Sequence, residues 1–191
     1  MSTSGKVLLH VCCAPCATSC LEKLSEKFSE IILFYYNPNI FPYDENLKRL
    51  EETRKLSSSF NQLIPLIEGE YDADFWGKMI SPLSHTGEKG MRCWLCYYLR
   101  LLKSFEIAKE NGCSFVATSL SISPHKNNDW IKEISFALGQ KFGISFLDEK
   151  WNYNRSVELS KKFDFYRQDY CGCVFSANER DARINKTKKG A

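Results

Sequence analysis

The stretch Lys6-Val7-Leu8-Leu9-His10-Val11-Cys12-Cys13-Ala14-Pro15-Cys16 decides the fold. Residues 6–12 form a compact apolar run without helical period, the pattern of a buried strand. Directly after it, residues 17–29 place Cys20, Leu21, Leu24 and Phe28 at helical spacing. Residues 30–36 (EIILFYY) then read as a second strand, stopped by Asn37-Pro38-Asn39. A strand, a helix and a strand in this order predict a parallel crossover.

The same alternation continues outward. A helical pattern begins at Asp44, with Leu47, Leu50 and Phe60 as expected core contacts, and residues 62–67 are a third strand. Residues 81–90 are a loop by composition. Residues 91–110 are the strongest helix, with Leu95, Leu99, Leu102, Phe105 and Ala108 expected in the core and Asn111-Gly112 closing it. A strand over 114–118, a helix over 129–142, a strand over 144–147 and a helix over 156–163 follow, and the remainder reads as irregular. The pattern predicts one α/β domain over residues 1–191, a Rossmann-like layered fold with a mainly parallel sheet. A metal site is expected at the carboxyl edge of its strands, where open parallel sheets bind ligands.

Composition narrows the function. The aromatic share of 14% is high, which suits a dense core or surfaces on which bases stack. The net charge of +3 gives no overall signature of a nucleic-acid binder, although residues 185–191 read as a flexible basic tail able to attract phosphate weakly. No run approaches the ~18 apolar residues of a membrane span, and the start of the chain has no secretory pattern, so the chain is read as cytoplasmic. In a reducing compartment nine cysteines point to metal or redox chemistry rather than to structural disulfides.

The cysteines fall into three groups. Cys12, Cys13 and Cys16 lie where the first strand meets the first helix, whose N-terminus favours thiolate. Cys93 and Cys96 open the long helix, and their three-residue step puts both sulfurs on one face. Together with Cys12 and Cys13 they supply four thiolates, the set for a [4Fe–4S] cluster or tetrahedral zinc. The helical setting favours iron over the paired knuckles of a zinc ribbon. Cys171-Gly172-Cys173 is a vicinal pair that either closes a strained disulfide, storing two electrons, or ligates a metal. Cys20 and Cys113 read as core positions, and His10 as a hydrogen-bonded core histidine.

Five ordered stretches, LLHVCCAPCATSC, FYYNPNIFP, GMRCWLCYYLRL, ATSLSISPHKN and YRQDYCGCVFS, resemble the epoxyqueuosine reductases of the QueH type over nearly the whole chain. His125 departs from the tyrosine more often found there, and residues 148–151 lack the family's Asp-Phe-Arg wording, so no catalytic weight is placed on them. The resemblance implies reduction of the epoxide of epoxyqueuosine in tRNA to an alkene, with loss of oxygen as water. It implies a [4Fe–4S] cluster on Cys12, Cys13, Cys93 and Cys96, and a redox role for Cys171 and Cys173. It also implies tRNA and a separate electron donor as partners. An additional iron acting as Lewis acid would be held near Cys16.

Further candidates are weighed residue by residue. Asn37 and Asn39 lie at the same sheet edge and are candidates for hydrogen-bonding substrate, with a plain turn role as the competing reading. Tyr166, Arg167 and Gln168 precede the Cys171/Cys173 pair and are candidates for stacking on the modified base or bonding its backbone. Arg92 and Arg100 are expected on a solvated helix face, and Asp129 as a helix N-cap. Two other readings compete. An ATP-dependent tRNA sulfur-transfer enzyme would need a Gly-rich phosphate loop after the first strand, where this chain has Cys-Cys-Ala-Pro-Cys. A zinc-stabilised RNA-binding module without catalysis is separated from a reductase by its lack of colour.

Overall fold

In the computed structural model, which describes residues 4–60 and 63–189, five parallel strands lie in the order β3-β2-β1-β4-β5. They are β1 (Lys6–His10), β2 (Glu30–Tyr35), β3 (Leu66–Glu68), β4 (Phe115–Thr118) and β5 (Ser145–Phe146). The helices are α1 (Ala14–Ser25), α2 (Tyr43–Ser58), α3 (Ala73–Ile80), α4 (Met91–Glu110), α5 (Asn128–Phe142), α6 (Tyr153–Lys162) and α7 (Val174–Lys189). The α/β architecture and the parallel sheet are therefore those expected from the alternating pattern.

Side chains alternate between the two faces of the sheet, as strand geometry requires. Leu8, Ile32, Phe34 and Val116 meet Tyr97, Leu101 and Phe105 of α4 and Ile131, Ile134 and Leu138 of α5. Val7, Leu9, Leu33 and Ala117 meet Ala14, Ala17, Leu21 and Leu24 of α1 and Leu56 of α2. Both faces being covered explains why the central strands read as unbroken apolar runs.

Several expectations are corrected. The first strand stops at His10 and α1 already begins at Ala14, with Pro15 in its first turn. Proline is tolerated there because the first helical N–H groups have no partner to lose. The third strand covers Leu66–Glu68, and Gln62 lies outside the described residues. Leu47 is 37% exposed; α2 instead buries Asn46, Arg49, Glu52, Thr53 and Leu56. The loop over 81–90 begins with a 3-10 turn, Ser81–Leu83, and α3 precedes it where no helix was expected. The region past residue 163 carries α7 through Lys189 rather than irregular chain. Asp129 is not the cap of α5, because Asn127 Oδ1 accepts from Trp130 N at 3.2 Å.

The strand order reverses between β1 and β4, so chain leaving these two strands diverges and opens a crevice at their carboxyl ends. His10, the last residue of β1, braces that edge. Its Nδ1 lies 2.9 Å from Thr118 Oγ1 and its Nε2 3.3 Å from the Tyr36 carbonyl. Burial and the nearby Arg100 guanidinium lower its pKa to about 3. The ring is thus neutral, with Nε2 carrying the hydrogen toward the carbonyl. His10 is a hydrogen-bonded core residue, as the sequence suggests.

Candidate functional site

At the β1–α1 turn Cys13 is the N-cap of α1 in an extended conformation (φ −169°, ψ 154°). The sulfurs of Cys12, Cys13 and Cys16 all lie within 4.8 Å of one another. Cys12 and Cys13 are 3.9 Å apart, near the ~3.8 Å that two sulfurs keep on a tetrahedral metal with ~2.3 Å bonds. The triad could therefore hold a metal ion. Ser119, in the 3-10 turn Ser119–Ile122 after β4, anchors it. Its hydroxyl accepts from Cys12 N–H at 2.9 Å and lies 3.2 Å from Cys12 Sγ.

These three thiols ionise as one unit. Hydrogen bonds from Cys13 and Cys16 hold Cys12 well below the ordinary thiol value. Burial, together with Cys12, pushes Cys13 up to about 12, and Cys16 rises by bonding to both neighbours. Cys12 is thus the most acidic thiol of the group, its anion favoured by hydrogen bonds from its neighbours.

A cavity of 370 Å³ opens over the triad. Cys93 of α4 and Cys171 and Cys173 also line it. Cys96 is buried beside Cys173, Trp76 and Ile80, and burial raises its pKa to about 12. The pair Cys171 and Cys173 consists of free thiols here. Cys173 Sγ accepts from Ser176 N at 3.4 Å and donates to Ser176 Oγ at 3.3 Å, at the start of α7. Each of the three cysteine groups thus contributes to the lining of one cavity, from which Cys96 is set back, while the tight cluster is Cys12, Cys13 and Cys16. Cys20 and Cys113 are buried core positions.

The expected substrate residues separate. Asn39 and Gln168 line the cavity, each with an amide oxygen that lacks a partner among the described residues. Asn37 also lines it, but its amide serves the fold: Nδ2 donates to Val11 O at 3.0 Å, and Oδ1 accepts from Arg100. Tyr166 packs against α2, its N–H donating to Glu52 at 2.8 Å and its ring lying 3.4 Å beneath Lys48 Nζ. Arg167 lines a neighbouring cavity of 80 Å³ with Cys16, Tyr153 and Gln168.

Three buried arginines were not legible from the sequence. Arg92 and Arg100, expected in solvent, are 5% and 2% exposed, and Arg49 is 2% exposed. Arg49 pairs with Glu45 at 2.7 Å and donates to the Cys171 carbonyl at 3.3 Å. Arg92 bonds to Glu179 and the Thr86 carbonyl. Arg100 bonds to Asn37 and lies against the Cys96 thiol, leaving Nε without a partner among the described residues. Its position four residues after Cys96 would place it on the cysteine face of α4. Arg49 gives no such local signal. Lys126, also unforeseen, reaches the cavity from the turn after β4.

Clustered thiols, buried cations and an open cavity at the carboxyl edge of a parallel sheet define an α/β protein whose cysteine triad could hold a metal. The family description "Epoxyqueuosine reductase QueH" matches residues 7–179. Curated relatives bearing that name include one from Streptococcus pyogenes serotype M1, 36% identical over 100% of this chain and 77% of its own length. One from Acinetobacter baylyi is 37% identical over 92% of this chain and 82% of its length. A third, from Thermotoga maritima, is 35% identical over 92% of both chains. The chain belongs to the epoxyqueuosine reductase QueH family and is an oxidoreductase. No helix among the described residues is long and apolar enough to cross a membrane.

Proposed function

We propose that the chain acts in the cytoplasm on tRNA carrying epoxyqueuosine. It removes the epoxide oxygen as water and leaves the alkene of queuosine, taking up two electrons and two protons. The observation that carries this reading is the convergence of three cysteine groups on one cavity in a chain of this family.

The donor set fits a metal centre. Cys12, Cys13, Cys93 and Cys96 would hold a [4Fe–4S] cluster, and Cys16 would help hold an additional iron beside it. Buried charge supports this assignment. Arg49 and Arg92 have carboxylate partners, whereas Arg100 and Lys126 have none among the described residues. Two unmatched cations suit four thiolates on such a centre, which together form a dianion, and leaving them unmatched would be costly. When bound, the centre would supply electrons one at a time and Lewis acidity toward oxygen.

The chain's own residues would do the rest. Asn39 Oδ1 and Gln168 Oε1 are acceptors for the hydroxyl and amine hydrogens of the substrate's side group, and Arg49 Nη2 is a free donor facing the same space. Cys171 and Cys173 would act as the second electron store.

The test is anaerobic reconstitution followed by an assay on epoxyqueuosine-containing tRNA with a chemical reductant. A broad brown absorption bleached by dithionite and formation of queuosine are expected. Cys93→Ala should lose the cluster, whereas Cys173→Ala should keep it and lose turnover. A colourless zinc protein without turnover would sink the reading.

A further inference from the structure

A metal centre held by cysteines owes part of its reduction potential to the hydrogen-bond donors that reach its sulfurs. Among the described residues four buried side-chain N–H groups lack a partner: Arg49 Nη2, Arg92 Nε, Arg100 Nε and Trp76 Nε1. The three arginines each hold another bond through the same guanidinium. Trp76 does not, because an indole has one N–H, no acceptor and no other polar atom. Left buried and unpaired, that N–H carries the full cost of its lost hydration.

The fold holds this side chain in place. Asp72 Oδ1 accepts from Phe75 N at 2.9 Å and so starts α3. Trp76 and Ile80, one turn apart, are the two residues that α3 buries, whereas Phe75 and Met79 turn outward. Trp76 packs in one buried cluster with Ile80, Cys96 and Cys173, its ring 6.3 Å from that of Phe175. Two sulfurs are thus at hand. Cys173 Sγ is already engaged by Ser176, accepting from its N–H at 3.4 Å and donating to its hydroxyl at 3.3 Å. Cys96 Sγ, against which the indole lies, is the sulfur that remains. Arg100 faces the same sulfur but is charged and keeps its bond to Asn37. A neutral thiol is a weak acceptor and a thiolate a strong one, so Trp76 gains its partner only when Cys96 is deprotonated.

We propose that the Trp76 indole N–H donates to Cys96 Sγ when that sulfur is a metal-bound thiolate, and thereby raises the reduction potential of the bound centre. Trp76 is then a positioning residue, acting on electron uptake through Cys96 and not by touching substrate. The inference rests on Cys96 being a ligand, as in the reading above, and adds what tunes that ligand. One-electron reduction adds negative charge to a centre that is already anionic, and part of that charge falls on the ligand sulfurs. A donor to such a sulfur therefore favours the reduced form more than the oxidised one. Burial keeps water from competing for the bond. The placement also gives α3 a task, since this short helix buries only Trp76 and Ile80.

Two replacements test this. Trp76→Phe removes the N–H together with part of the ring, and benzothienylalanine at position 76 puts sulfur in place of the N–H while keeping the shape. Each full chain is reconstituted anaerobically with iron and sulfide, then titrated with dithionite and dye mediators to read the midpoint potential from absorption. Both should load iron as the unmodified chain does. The equilibrium for one-electron reduction should fall on the order of tenfold in each, a shift of about 59 mV to lower potential. Stripped of metal, the benzothienylalanine chain should keep or gain Tm, because it no longer buries an unpaired donor. An unchanged or raised potential in that chain, loss of its iron, or a fall in its stripped Tm would each overturn the proposal and leave Trp76 a packing residue. Full cluster loading by Cys96→Ala would instead overturn the assignment of Cys96 as a ligand, and an unmodified chain that takes up no iron would overturn the metal reading itself.

Discussion

Gly172 separates the two thiols of the Cys171/Cys173 pair at φ +111°, a backbone conformation that side chains resist. Space is short as well: a Cβ there would stand 3.0 Å from both Arg49 Nη1 and Ile40 Cγ1. The same turn is tied at both ends. The Gly172 carbonyl accepts from Phe41 N at 2.8 Å, and Arg49 holds the Cys171 carbonyl while its guanidinium lies 5.1 Å over the Tyr170 ring. Gly172→Ala should therefore destabilise the chain by about 1–3 kcal/mol. Thermal unfolding would read this as a fall in Tm of roughly 2–4 °C per kcal/mol. An unchanged Tm would show that the turn relaxes freely and that Arg49 does not hold it. The vicinal thiols were visible in the sequence; their clamp was not, because Arg49 arrives from a helix 122 positions away.

Elements whose periodicity serves an apolar core were legible, and those whose buried face is polar were not. The central strands, α1 and α5 announce themselves because both sheet faces demand aliphatic residues. In α4 the expected Leu95 and Leu99 are only partly buried, while Arg92, Cys96 and Arg100 form a buried stripe toward the site. Such a stripe reads as solvent-facing until a cavity is known. α7 has a charged sequence with little apolar period, so nothing local marks it as a helix. Electrostatics between elements carries its own prediction. Glu149, in the segment between β5 and α6, pairs with Lys23 of α1 at 2.7 Å and with Lys27 just past its end. These bonds lower its pKa from the ordinary 4.5. The ionised form is thus favoured by folding, so the contribution is present above pH 4.5 and lost as pH falls through the lowered folded value. The groups are partly exposed, which limits the contribution to about 1 kcal/mol or less. Glu149→Gln should lower Tm slightly at pH 7 and converge with the unmodified chain in acid. A gap between the two that persists below pH 3–4, about where such carboxylates are protonated, would rule the pair out as its source.

At the scale of the molecule, the sheet edge concentrates positive charge that the polypeptide alone does not neutralise. Arg100 is the clearest case, fully inside the protein, bonded to an amide and facing the sulfurs of Cys96 and Cys12. In the metal-free chain such a cation is costly to hold away from water, and its natural counter-charge is the thiolate set of a bound centre. The two forms of the protein should then respond differently to Arg100→Met. Without metal, the substitution removes an isolated buried charge and leaves Asn37 short of one donor, so its net effect on Tm is small. With metal bound, it strands a buried anionic centre without its cation, at a cost on the order of 3–5 kcal/mol. Metal binding stabilises whatever form it prefers, so stripping the unmodified chain should lower Tm markedly, and the difference between loaded and stripped Tm should shrink in Arg100→Met. Scanning calorimetry of both chains, loaded and chelated, measures the four values directly. Equal losses of Tm in the loaded and stripped forms would mean that Arg100 is a packing residue, and the charge balance argued for the site would then need a different cation.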